Sequence, residues 1–248
     1  MSLAISADVV RELAPGGTLR VAINFGNSVL AQRGPGGEAR GISVDLAREL
    51  GRQLGVETKL VSFDAAGKVV EAMRRGEWDV AFLAIDPQRA DELLFSPPYL
   101  LITGAFMVAA ESTLQSVAEV DAPGVRVAIG AGSAYDLYLT RTLKHARIER
   151  QPTALEAFDM FMRQKLEVAA GIRQVVERHA LQHPGLRVLQ GSFMEIQQAM
   201  CTPMPRTAAA RFLTEFIDTL KVNGWVGETL SRNDQTDATV APHTSSST

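Results

Sequence analysis

Cysteine is nearly absent from this chain, which has one, Cys201, among 248 residues. A single cysteine excludes an intramolecular disulfide, so cysteine content does not distinguish an oxidising from a reducing compartment. We interpret Cys201 as a buried apolar residue. Aromatic residues are also few, at 6% of the chain, and no stretch interleaves them with basic residues. Together with a net charge of −3, this composition argues against nucleic acid as a partner.

The sequence also lacks an apolar run of about 18 residues or more, the length that a membrane-spanning helix needs. The longest apolar stretch, residues 99–110, is interrupted by Thr103 and Gly104, which favours a β-strand. We therefore expect no membrane insertion. The start of the chain shows no basic segment followed by an apolar one, so no signal peptide is visible. The protein is then either cytoplasmic or periplasmic with a leader removed.

Several motifs that carry chemistry are missing. The sequence contains no GxGxxG, GxxxxGK[ST], HExxH or GxSxG, the patterns of nucleotide sites, metalloproteases and serine hydrolases. The histidines are dispersed; His179 and His183 lie four positions apart, but Pro184 follows them, and we interpret both as structural or surface residues. We expect no metal, no cofactor and no catalytic residue.

What the sequence does contain is a regular alternation of strand-like and helix-like segments. In the first half, "GISVDLARELGRQLG" has apolar residues at helical spacing, with Ser43 as a candidate N-cap. The apolar segments around it predict strands at residues 18–24, 58–63 and 78–85. Strands that alternate with helices predict an α/β fold with mainly parallel sheets flanked by helices.

The second half repeats this pattern, so we expect two lobes. "GVRVAIGAGSAYDLYL" predicts a strand, a glycine-rich turn and a helix, and Thr153 with Glu156 forms a capping box. The predicted division is residues 1–107 for the first part of lobe 1, 108–194 for lobe 2, 195–235 for a return to lobe 1 and 236–248 for a disordered tail. Clefts between lobes are common ligand sites, so we expect the ligand there.

Two features are candidates for ligand binding. Gly132 and Ser133 stand between a strand and a helix, where backbone amides can face a carboxylate or phosphate; a plain N-cap is the alternative. Arg89, in "IDPQRADELLFSPPY", follows a predicted strand, and its guanidinium can bind a carboxylate through two bonds. Its alternative is a solvated pair with Asp91 or Glu92.

Four segments in this order and spacing resemble the family 3 bacterial solute-binding proteins, the polar amino-acid receptors of ABC importers. They are "GISVDLARELGRQLG", "MRRGEWDVAFLAI", "DPQRADELLFSPPYL" and "VRVAIGAGSAYDLYL". The resemblance extends from Leu19 to about Leu230 and implies the two-lobe, type II periplasmic-binding-protein fold. It also implies a receptor that binds a small carboxylate-bearing molecule and docks on the membrane permease subunits of an importer. We expect a monomer in the periplasm.

The resemblance assigns roles to individual positions. Arg89, six residues before Phe95, matches the arginine that binds the ligand's α-carboxylate, and the turn of Gly132 and Ser133 matches further carboxylate donors. Phe63 matches an aromatic residue that packs on the ligand.

The turn after the first strand also lines the ligand cleft in the family, which corresponds to Asn24 and Asn27 here. For Asn27, ordinary turn chemistry is an equal alternative.

The chain departs from the family at three positions of the expected ligand site. Ile172 replaces the aspartate that pairs with the ligand's ammonium group, and an apolar side chain does not substitute for it. Asp86 replaces the threonine that the family has three residues before the arginine, and Ala84 replaces the one that it has five residues before. Asp86 either takes over the ammonium or caps the turn that follows. With Asp86 as a cap, the sequence predicts a ligand that is a carboxylate without an ordinary α-amino group.

Two main functions follow from this resemblance. The first is a non-enzymatic receptor anchored by Arg89. The second is an enzyme on the same scaffold, similar to the cyclohexadienyl dehydratases, with Asp86 or Glu195 as general acid or base. A third, weaker interpretation is a cytoplasmic or sensor relative that keeps the cleft.

Overall fold

The computed structural model describes residues 5–235 and 238–243. Its strands are β1 (Thr18–Asn24), β2 (Gln32–Arg33), β3 (Ala39–Arg40), β4 (Glu57–Phe63), β5 (Val80–Ala84), β6 (Leu93–Phe95), β7 (Leu100–Ala109), β8 (Arg126–Gly130), β9 (Arg147–Gln151), β10 (Val168–Ile172), β11 (Leu186–Val188), β12 (Met194–Pro203) and β13 (Thr239–Val240). Its helices are α1 (Ala7–Leu13), α2 (Ile42–Leu54), α3 (Ala66–Arg74), α4 (Pro87–Ala90), α5 (Ala134–Thr142), α6 (Ala154–Gln164), α7 (Arg173–Gln182), α8 (Thr207–Val222) and α9 (Trp225–Arg232). Among these helices, none combines the length and apolar character needed to cross a bilayer.

The chain divides into two compact units. Of the described residues, unit 1 contains 5–63, Lys68–Leu101, 197–235 and 238–243, and unit 2 contains Asp64–Gly67 and Ile102–Ile196. The two main boundaries between the units fall inside strands β7 and β12. Each of these strands therefore has one part in unit 1 and the other part in unit 2.

Unit 1 is built on a sheet with the strand order β4-β1-β5-β12. β1 runs parallel to β4 and β5, whereas β12 is antiparallel to β5. All five residues of β5 are buried, as expected for a central strand covered on both faces. Because parallel strands end at the same edge, the carboxyl ends of β1, β4 and β5 lie together, and Asn24 is the register partner of Phe63.

Unit 2 repeats this arrangement with the strand order β7-β10-β8-β9. β8 is parallel to β9 and β10, and β7 is antiparallel to β10. Its core is a cluster under α6 and α7 that includes Phe158, Phe161 and Val176. Each unit is therefore a mainly parallel sheet flanked by helices, which confirms the predicted α/β class.

The two predicted helix caps have different outcomes. Thr153 caps α6 as expected, because its Oγ1 accepts a hydrogen bond from the Glu156 amide at 3.2 Å. The prediction for Ser43 is wrong, because the N-cap of α2 is Gly41, two positions earlier, and the helix begins at Ile42. Gly41 has φ +118°, and a Cβ there would lie 2.5 Å from the Leu30 carbonyl oxygen. Only glycine fits this approach, which shifts the helix start and leaves Ser43 inside the helix.

The predicted disordered tail is wrong for residues 238–243. In that segment β13 pairs antiparallel with the start of β7, the Ala241 amide donates to the Tyr99 carbonyl, and Ala241 is buried. The Lys221 ammonium donates to the Pro242 carbonyl at 3.3 Å. The mostly polar composition of the tail obscured its one apolar pair, Val240 and Ala241, which lies beside the start of β7. The rest of the predicted tail, residues 236–237 and 244–248, lies outside the described residues.

Candidate functional site

Arg89 lies just beyond the carboxyl end of β5, in the short helix α4. This helix starts after Asp86, whose carboxylate accepts a hydrogen bond from the Gln88 amide at 3.0 Å, and Pro87 opens its first turn. The predicted N-cap role of Asp86 is thus confirmed. Arg89 is only 4% exposed, and its Nη1 donates to the Ala84 carbonyl at 3.0 Å. The alternative of a solvated surface charge is therefore wrong, because α4 folds the side chain back over the strand end.

Burial dominates the electrostatics of Arg89. Loss of solvent lowers the pKa of its guanidinium, whereas the nearby Asp86 and Cys201 act to raise it. Arginine starts from so high a pKa that it keeps its proton at any physiological pH. Glu92, a predicted partner, binds Arg74 instead through two hydrogen bonds of 2.6 and 3.1 Å. A buried, charged guanidinium at a strand end is well suited to bind a carboxylate.

The ends of β1 and β4 place three other predicted residues beside one another in unit 1. Asn24 is paired in register with the half-buried Phe63. The Asn24 side-chain oxygen accepts from the Gly26 amide at 2.9 Å, and that of the buried Asn27 accepts from the Val29 amide at 3.2 Å. Both oxygens stabilise the turn after β1, so turn chemistry is confirmed for Asn27. Ligand contacts by Asn24, Asn27 and Phe63 stay predictions.

In unit 2 the turn after β8 binds a carboxylate of the protein itself, that of Asp136. Ser133 is the N-cap of α5, and its Oγ accepts from the Asp136 amide at 3.0 Å. The Gly132 amide donates to Asp136 Oδ2 at 2.8 Å. Asp136 Oδ1 in turn accepts from Arg150 Nε at 3.0 Å and from Thr140 Oγ1 at 3.1 Å. The helix N-terminus that was predicted to face a ligand anion therefore binds an internal one.

Glycine is required in this turn. Gly132 has φ +67°, and a Cβ on it would lie 2.8 Å from the Cα of Gly67, which belongs to the same unit. The plain N-cap alternative is confirmed for Ser133. A ligand role for Gly132 and Ser133 stays a prediction, and it requires that the carboxylate of Asp136 be displaced from the Gly132 amide.

The end of β10 carries an apolar side chain followed by a cation. Ile172 is 9% exposed, and α7 starts directly after it without a side-chain cap. Arg173 donates to Thr103 Oγ1 at 3.2 Å, to Glu177 Oε1 at 3.1 Å and to the Gly191 carbonyl. These contacts hold the guanidinium within unit 2. The Ile172 side chain thus brings no charge to this strand end, and its contact with a ligand stays a prediction.

The other groups that the sequence singled out lie apart from these strand ends or are inert. Cys201 is fully buried, as predicted, and burial raises the pKa of its thiol to about 12. Glu195 is exposed on β12. The rings of His179 and His183 stack 4.1 Å apart. Across residues 5–235 and 238–243, no three metal-binding side chains are grouped so that they could hold an ion.

Comparison with known proteins decides the family. The family model for bacterial extracellular solute-binding proteins, family 3, matches residues 19–233. The chain belongs to this family. The match covers the strands and helices from β1 to α9 and therefore both units of this family 3 protein.

Solved structures share the fold of this family 3 protein. A mutant of the ArgBP of T. maritima is 20% identical, with a TM-score of 0.77, and the match covers 90% of this chain and 98% of that one. An ancestral amino acid-binding protein, described as a precursor of cyclohexadienyl dehydratase, is 20% identical with a TM-score of 0.75 and the same coverage. The substrate-binding protein of an amino acid ABC transporter is 14% identical, with a TM-score of 0.76, covering 87% of this chain and 98% of that chain. At these identities the likeness establishes the type II periplasmic-binding-protein fold alone.

One relative of this family 3 protein is an enzyme by name. The cyclohexadienyl dehydratase of Pseudomonas aeruginosa is 26% identical over 156 residues, which are 61% of this chain. The matched part spans 58% of that relative's length.

Each unit of this family 3 protein thus brings together part of the predicted set. Unit 1 gathers, at the ends of β1, β4 and β5, the residues Asn24, Asn27, Phe63, Ala84, Asp86 and Arg89. Unit 2 carries, at the ends of β8 and β10, the residues Gly132, Ser133 and Ile172. Sequence reasoning missed Asp136, although its position three residues after the cap is a recognisable capping signal.

Proposed function

We propose that this protein is the solute-binding receptor of an ABC-type importer and that it captures a small carboxylate-bearing molecule. The observation that carries the proposal is the buried Arg89, held by the Ala84 carbonyl at a strand end in a family 3 fold. Solved proteins of the same fold are bound to glutamine or arginine, and the carboxylate of these molecules supports a small carboxylate-bearing ligand, of the size of an amino acid or a related organic acid.

In this proposal Arg89 binds the ligand's carboxylate through two charge-assisted hydrogen bonds. Closure of the lobes then buries the ligand, so that the measured affinity includes the shift from open to closed forms. The closed form is the one that the permease subunits recognise. The receptor acts as a monomer in the periplasm, which is where an importer of this class collects its solutes.

The ligand in this proposal has no ordinary α-amino group. An ammonium group is bound most strongly by a carboxylate. The end of β10 carries Ile172 instead, and the Asp86 carboxylate already caps α4. A carboxylate whose remaining part is apolar or neutral fits these side chains better than a zwitterion does.

Substitution of Arg89 tests the anchor. We expect Arg89→Ala to weaken binding of carboxylates by roughly 100-fold or more, because two hydrogen bonds to a charged group are lost. Arg74→Ala is the matched control, since Arg74 is an exposed arginine of the same unit. Isothermal titration with a panel of amino, hydroxy and keto acids measures both. Equal affinity of the Arg89→Ala variant and the wild type would refute the anchor, and circular dichroism establishes that each variant is folded.

An enzymatic function is the second candidate, favoured by the dehydratase relative and by the ancestral neighbour of that enzyme. Asp86 and Glu195 are its general acid or base candidates. Asp86 is buried, but its carboxylate is engaged as the N-cap of α4, and Glu195 is exposed to water, so neither combines a water-excluded environment with a carboxyl group available for proton transfer. Incubation of the pure protein with prephenate or arogenate decides this point, because turnover that is lost in an Asp86→Asn or Glu195→Gln variant would establish the enzyme.

A further inference from the structure

Gln198 is a buried polar residue whose acceptor is unpaired. It lies in β12 and is 5% exposed, and its side-chain oxygen Oε1 is enclosed without a hydrogen bond from any residue that the structure describes. Buried amide oxygens in folded proteins are nearly always paired with the chain, with ordered water or with a ligand, because an unpaired one destabilises the fold. The position of Gln198 therefore calls for a functional explanation.

The register of β12 sets Gln198 beside the anchor in unit 1. Gln198 is the cross-strand partner of Ala84, and the Ala84 carbonyl accepts Nη1 of Arg89 at 3.0 Å. The register is fixed next to it by the Ile85 amide, which donates to the Gln197 carbonyl at 2.9 Å. Residues directly opposite one another in such a pair have Cα atoms about 4.5 to 5.5 Å apart. A buried cation and a buried, unpaired acceptor are thus both placed at the carboxyl end of β5, each next to Ala84.

We propose that Gln198 is a ligand-binding residue whose Oε1 accepts a hydrogen bond from a hydroxyl group that the ligand carries close to its carboxylate. The inference rests on the proposed receptor function and names its substrate class, hydroxycarboxylic acids. A neutral amide oxygen matches a neutral donor, whereas an ammonium group prefers a carboxylate. A ligand without the hydroxyl leaves Oε1 buried and unpaired, so the residue discriminates against the bare acid.

Pairs of acids that differ by one hydroxyl test this inference. The probes are malate and succinate, lactate and propionate, and 2-hydroxyglutarate and glutarate, titrated calorimetrically into wild type and Gln198→Met. We expect the wild type to bind the hydroxy acid of at least one pair roughly three- to tenfold more tightly than its bare counterpart, the effect of one hydrogen bond. In Gln198→Met that ratio falls to about one. Gln197→Met is the matched control, because Gln197 is the exposed neighbour on the same strand, and it keeps the ratio.

The outcomes separate this inference from the receptor function. A hydroxyl preference that persists in Gln198→Met, or a wild type that binds no hydroxy acid of the three pairs, overturns the role of Gln198. Binding that is unchanged in Arg89→Ala overturns the receptor proposal itself. The thermal midpoint of the ligand-free Gln198→Met variant checks the fold: a midpoint at or above that of the wild type is expected, because an unpaired acceptor has been removed. A midpoint far below it would make Gln198 a structural residue and contradict the proposal.

Discussion

Replacing Asp136 by asparagine should destabilise unit 2 measurably, although the side chain keeps its size. The Asp136 carboxylate is 5% exposed and accepts three hydrogen bonds, from the Gly132 amide, Thr140 Oγ1 and Arg150 Nε. Asparagine has a single side-chain oxygen, so its NH₂ group must face either the Gly132 amide or the Arg150 guanidinium. Either arrangement sets a donor against a donor, and at least one charge-assisted bond is lost.

The magnitude follows from the partners of Asp136. A hydrogen bond to a charged group contributes about 1.5 to 3 kcal/mol. The Arg150 side chain is 43% exposed, so solvent screening limits its share to about 0 to 1 kcal/mol. We therefore expect a loss of about 2 kcal/mol in the free energy of unfolding. For a protein of this length that corresponds to a decrease of roughly 4 to 8 °C in the thermal midpoint.

Thermal unfolding followed by circular dichroism measures this decrease. Asp159→Asn is the control, since Asp159 is an exposed carboxylate on α6 in the same unit. Arg150→Gln isolates the screened ion pair and should cost less than Asp136→Asn. A midpoint for Asp136→Asn within 1 °C of the wild type would refute the assignment of Asp136 as the anion of this helix N-terminus.

Two other predictions concern buried groups. Burial lowers the pKa of His179, with His183 acting in the same direction and Asp159 against it. The unfolded chain therefore binds the proton first as the pH falls, so stability is full above pH 6.5, the ordinary value, and declines below it. His179→Phe should reduce the difference between the urea midpoints at high and low pH, and an unchanged difference would contradict this. For Cys201, the raised pKa predicts that the folded protein resists alkylation at pH 8 and reacts once unfolded in urea; rapid labelling of the folded protein would show that the thiol is accessible.

The sequence predicted most strands and helices of five or more residues because their patterns are local. β5 and β10 are short apolar runs bounded by polar or turn residues, and all their residues are buried. α4 and the hairpin of β2 and β3 escaped detection, because four or two residues are too few to show a period. The start of α2 was misplaced because a contact between Gly41 and the Leu30 carbonyl overrode the capping preference of Ser43.

The candidate site was predictable only in part, for a similar reason. Residue type and position after a strand made Arg89 a candidate, and the resemblance to family 3 assigned it the anchor role, but its burial depends on how α4 folds back on the Ala84 carbonyl. Gln197 and Gln198 are identical in type and adjacent in sequence, and one is exposed while the other is buried. Only the pairing of β12 with β5, strands that are more than 100 positions apart, decides which side chain faces inwards.

The division of the chain also constrains when each unit can form during synthesis. Most of unit 2 is one continuous stretch, Ile102–Ile196, so it can fold as soon as that stretch leaves the ribosome. Unit 1 has to wait, because β5 pairs with β1 on one side only and lacks its second partner until β12 is made. The first turn of α8 is completed even later, when the Ala209 amide donates to Glu12 Oε2 of α1. Before β12 is made, β5 has an open edge. Nascent unit 1 therefore depends more on chaperones than unit 2 does.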